Sequence, residues 1–177
     1  MVWKLDGLGE CDIRRPLTGT GTNLLGLVRH LTMTEALYFS DVFGRPLDEL
    51  LPWNHPDSEA GSDSWVPTDE SRSEVLERCA RVCTHTDATI AELPIDTPGF
   101  VPHWPRPHVT LFNVMVHVLG ETLRHAGHAD ILREGLDGTT GAYPEVPEPE
   151  ERDRLYWQNR CARIEAAARE AARRYPT

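Results

Sequence analysis

Apolar residues recur at helical spacing in the first long segment of the chain. Leu24, Leu27, Val28, Leu31, Tyr38 and Val42 fall on one stripe, which predicts a helix from about Asn23 to Phe43. Thr22 stands where an N-cap is expected, and Gly44 and Pro46 stop the pattern. A polar connection rich in Pro, Asp and Ser runs from 44 to 67 and carries Trp53 and Trp65. A loop of that length without periodicity is often functional. The pattern restarts around Thr68, with Glu70 and Ser71 nearby, and predicts a second helix ending at about Leu93, before Pro94. After a Pro-rich stretch with His103 and Trp104, a third helix is predicted from about His108 to Leu136. Its first half is apolar nearly all round, the mark of a central buried helix. A last helix is expected from about Glu151 to Arg174, and no segment alternates convincingly enough for a strand. The expectation is an all-α bundle forming one domain over residues 1–177.

Charge narrows the function classes. The chain carries a formal charge of −10, its basic residues are almost all arginine, and no basic stripe is interleaved with aromatics. Phosphate backbones would be repelled, so no nucleic-acid partner is expected. No apolar run of membrane-spanning length and no signal-peptide pattern occurs, and a cytoplasmic protein with no membrane partner is expected. Cys11, Cys79, Cys83 and Cys161 are scattered and read as reduced thiols. Asp12, Arg14 and Arg15 read as solvated loop charges.

The chemistry concentrates in the third helix. His117, Glu121, His125 and His128 fall within roughly a quarter of its circumference at about 100° per residue. Three imidazoles and a carboxylate on a face next to apolar turns are hard to satisfy by hydrogen bonding alone. A divalent cation answers that need. Glu121 and His125, at i and i+4, offer two ligand atoms to one ion, and mid-helix His30 is the leading candidate for a third from another helix. Three protein ligands would leave positions open, the catalytic kind of site.

Two segments resemble a known family. These are Leu17 to Leu31, with Thr22-Asn23-Leu24-Leu25-Gly26 and His30, and Glu121 to Arg133, with His125, His128 and Asp130. Both are similar to the DinB superfamily of metalloenzymes, and more narrowly to its actinobacterial branch that includes the mini-circle protein. The resemblance implies a DinB/YfiT-like four-helix bundle with long loops. It implies a divalent metal with His30 and His125 as ligands; Glu121 departs from the family, standing where relatives usually carry a second histidine, and a carboxylate can fill that place. Zinc and nickel both suit the set His30, Glu121 and His125. His128 occupies a place commonly held by Gln in the wider family and is an alternative ligand; His117 is the fallback.

Characterised relatives imply a metal-dependent S-transferase or isomerase acting on a small electrophile with a low-molecular-weight thiol such as mycothiol or bacillithiol. His128 or His117 would then orient a ligand or move a proton. The alternative is a non-catalytic stress-response bundle that binds a metal or small ligand. Relatives also carry a full helix before the segment matching Trp3 to Leu8; either the first helix is short, the start site is misplaced or a partner chain covers the exposed core, and a homodimer is expected.

Overall fold

The computed structural model describes residues 1–47, 59–141 and 154–175. Trp53 and the expected helix start at Glu151 lie outside the described residues. Two compact units are present, Met1–Thr140 and Gly141–Thr177. Among the described residues the regular structure is helical apart from one short hairpin, so the all-α bundle expectation holds. No helix among the described residues is long and apolar enough to cross a membrane.

In the first unit a 3-10 turn at Val2–Leu5 and a short helix, α1 (Glu10–Arg14), precede the central helix, α2 (Leu24–Phe39). The cap of α2 is Asn23 rather than Thr22: the Asn23 Oδ1 accepts the Gly26 N–H at 2.8 Å. Thr22 belongs to the preceding turn, its N–H donating to Thr18 Oγ1. The helix ends at Phe39, four residues earlier than its apolar stripe suggests. Ser40 leaves helical geometry and a 3-10 turn, Asp41–Phe43, closes on left-handed Gly44.

The next long helix, α3 (Arg72–Glu92), is capped by Ser71, within the restart that the sequence pattern marks around Thr68. Ser71 and Glu74 form a reciprocal capping box, the Ser71 N–H donating to Glu74 Oε2 at 2.7 Å.

Residues expected to open the third helix instead form a strand. β1 (Pro98–Phe100) pairs antiparallel with β2 (His108–Thr110), and Thr110 caps α4 (Leu111–Asp137) through Asn113. Three-residue strands are too short to show alternation, which is why the sequence pattern missed them.

The core divides along α2, which packs against both α3 and α4. Its first half joins Leu5, Ile13, Val66, Val75 and Ala129; its second half joins Val109, Leu111, Val114 and Val118. The early residues of α2 therefore meet the late residues of α4. Between the two clusters lies the middle of the α2/α4 seam.

The central-buried-helix expectation for α4 does not hold. Leu111, Val114 and Val118 are buried, yet Phe112, Val116, Leu119 and Leu123 are more than half exposed. Apolar residues all round a helix do not say which faces find a partner, and α4 packs chiefly on α2.

The end of α4 is tied by ions. The Arg133 guanidinium, almost fully buried, donates to the Lys4 carbonyl and to Asp137 Oδ2, both at 2.7 Å. Hydrogen bonding from Arg133, and to a lesser degree from Thr139, holds the Asp137 carboxyl at about 2 against an ordinary 3.8. A carboxyl lowered in the folded state stabilises above its unfolded pKa and loses that contribution as pH falls through the folded value. Asp137→Asn should cost about 1 kcal/mol at neutral pH, discounted for the partial exposure of Asp137. The difference should vanish as pH falls from about 4 to about 2, which urea midpoints across that window would measure.

In the second unit, Arg154–Arg174 form α5, and the described side chains from 155 to 175 are exposed.

Candidate metal centre

Helical spacing aims the donors. On α4, Glu121 and His125 lie one turn apart on one face, and on α2 His30 faces them from the other side of the seam. Each of the three offers one ligand atom, and these atoms lie within 4.8 Å of one another. His125 Nε2 is 3.6 Å from Glu121 Oε2, and the His30 and His125 rings meet edge-on at 4.8 Å. A tetrahedral ion with bonds near 2.1 Å separates its donors by about 3.4 Å, so small side-chain adjustments would close the set. Two imidazoles and one carboxylate from two helices fit a divalent cation with positions to spare.

The electrostatics agree. Burial, and then the neighbouring His30 and His128, push the His125 pKa below its usual value, against the opposing pull of Glu121. That direction favours the neutral form, the one that ligates metals.

His128 stands beside the group: its Nδ1 is 3.2 Å from the His125 Nδ1, and its side chain is exposed. His117 is not among the clustered residues. It packs edge-on against Tyr38 and Trp104, with ring centroids 4.9 and 4.7 Å away, where Trp104 Nε1 donates to the Tyr38 hydroxyl at 3.0 Å.

Asp63 is the residue that the sequence pattern did not single out. Its Oδ2 lies 2.5 Å from His30 Nδ1, although 33 positions separate the two. The one available signal was the length of the loop that carries it, which does not distinguish one acidic residue from another.

A cleft of about 660 Å³ opens beside the group, lined by His30, His125, His128, Trp65, Arg14 and the loop from Thr20 to Asn23, among others. Trp65, half exposed, lies at this cleft, whereas Trp104 packs into the second core cluster.

Arg14 is not the solvated charge expected of it. It donates to the carbonyls of Val66, Pro67 and Glu70 at 3.5, 3.2 and 3.0 Å and so ties α1 to the loop that bears Asp63. Arg15 and Asp12, by contrast, form an exposed pair.

Residues 1–138 match the model of a family described as Mycothiol-S-transferase. The match ends at Gly138, the left-handed cap of α4. No curated protein and no solved structure matches the chain.

Proposed function

Since the chain belongs to the mycothiol S-transferase family, within the DinB/YfiT-like superfamily, we propose that it is a metal-dependent enzyme joining a low-molecular-weight thiol to a small electrophile in the cytoplasm. The observation that carries this reading is the convergence of His30, Glu121 and His125 on one point beside an open cleft.

A divalent ion held there, zinc or nickel by the chemistry of the donors, would supply the positive charge that lowers the pKa of a thiol toward neutrality. The residues do the rest. His30, hydrogen-bonded to Asp63 through Nδ1, would contribute an imidazole through its other ring nitrogen. Glu121 contributes the negative charge, and His125 a neutral imidazole. His128, exposed next to His125, takes the proton that the thiol releases and returns it to the product. The cleft accommodates the thiol and its electrophile, with Trp65 offering an apolar face.

The test uses untagged protein. Stoichiometric zinc or nickel in the purified chain, with thiol consumed above background when an electrophile panel is added, supports the enzyme. Metal without thiol consumption favours the non-catalytic binding bundle instead. Stoichiometric metal retained in His125→Ala discards this ligand assignment.

We also propose that a second copy of the chain covers the exposed face of α4. Phe112, Val116, Leu119 and Leu123 recur at intervals of four, three and four, one continuous seam for a partner helix, and each is 53–63% exposed. With Ile95 beside them, also more than half exposed, the patch reaches about 500 Å², within the range of the largest and often functional patch on a monomer. Two copies face to face would bury about 1,000 Å², the threshold for a specific interface. Light scattering should give twice the chain mass, and Leu119→Glu with Leu123→Glu should halve it. A monomeric native chain overturns this assembly.

A further inference from the structure

The turn that carries Asp63 is gripped from one face of α2. Gly26, Arg29 and His30 stand at i, i+3 and i+4 on that helix and so share a face. All three engage residues 63–65. Gly26 allows the approach: a Cβ built on it would lie 2.0 Å from the Ser64 carbonyl oxygen. Arg29, almost fully buried, donates to the Trp65 carbonyl at 2.5 Å. His30 Nδ1 meets Asp63 Oδ2 at the same distance. Arg14 adds its bonds to the carbonyls of Val66, Pro67 and Glu70, and Val66 is buried in the first core cluster. The carboxylate is therefore delivered to the imidazole by a clamped turn.

We infer that Asp63 is a positioning residue for His30, one that holds the ring in a single orientation and keeps the proton on Nδ1. An ionised carboxylate has no proton to donate, so Nδ1 must donate to it. In the neutral ring Nε2 is then left with its lone pair free. A carboxylate behind a ligating histidine fixes its tautomer and raises its basicity, and losing such a partner typically costs 10–100-fold in metal affinity. The inference rests on the metal-centre reading for its functional consequence, but the tautomer is a property of the metal-free chain.

That separation sets the experiment. In metal-free protein at mildly alkaline pH, nitrogen NMR of the imidazoles should show His30 as the Nδ1–H tautomer. Asp63→Ala should shift it toward Nε2–H. Competition of the same proteins with a chelator for zinc should then show affinity reduced about 10–100-fold in Asp63→Ala. Asp63→Asn, which keeps an acceptor oxygen without the charge, should restore the tautomer and part of the affinity. A role confined to holding the fold would lower thermal stability in both variants and leave the tautomer alone. If His30 keeps its tautomer in Asp63→Ala, or if zinc affinity is unchanged there, the inference is overturned. If native protein binds no zinc while the tautomer responds as stated, the metal reading fails and the positioning of His30 stands.

Discussion

Replacing Glu121 with glutamine is expected to empty the centre of metal and to slow thiol transfer by about three orders of magnitude or more. The magnitude follows from charge stabilisation worth several kcal/mol at a bound cation, at about 1.4 kcal/mol per tenfold in rate. Glutamine keeps the shape of the side chain and removes the single negative charge of the group. The fold has little stake in that charge: the other ionic partner of Glu121 is Arg124, 3.3 Å away and mostly exposed. Such a rim pair contributes about 0–1 kcal/mol. Metal content and melting temperature should therefore part company, the first lost and the second nearly unchanged. A Glu121→Gln protein that keeps stoichiometric metal would remove the carboxylate from the ligand set and return His128 to consideration.

The second large effect is expected at Gly26. Alanine there places a methyl group 2.0 Å from the Ser64 oxygen and 2.8 Å from the Ser64 carbonyl carbon. Both obstacles are backbone, so the turn must move as a body. Forced overpacking of this kind costs about 1–3 kcal/mol, or a fall of about 2–10 °C in melting temperature for a chain of this size. Because Asp63 travels with the turn, zinc affinity should fall with stability, to about the level of Asp63→Ala. Gly120→Ala supplies the control: a Cβ built there, in the interior of α4, would meet nothing within 4 Å. With no steric obstacle, the better helix propensity of alanine should raise stability by about 0.5–1 kcal/mol. A Gly26→Ala protein with native stability and native affinity would show that the turn is not clamped.

Much of the fold was legible in advance because helical periodicity is local. The stripe of α2 and the run of α4 mark their helices, whose caps and ends, and the burial of α4, had to be corrected. There the deciding interactions are single side-chain bonds, such as Asn23 to Gly26 and Ser71 to Glu74. The hairpin escaped notice because each strand is three residues long.

For the site, spacing alone put Glu121 and His125 on one face of one helix and offered His30 as the third member. Spacing could not rank His117 against His128, since both lie on the same side of α4. Packing separates them: the end of α2 that carries Tyr38 takes up His117, while His128 stays beside His125.

What the chain's order of residues determined, then, was its helical character, its acidic surface and the short list of donors, all properties of neighbours within a turn or two. Tertiary structure decided which face of α4 found a partner, which histidine stayed beside the group, and that a carboxylate from a distant loop would stand behind His30. Those outcomes depend on groups tens of residues apart coming within a hydrogen bond of each other. No periodicity encodes that; it follows from the close approach that Gly26 permits and from the arginines that hold the loop in place.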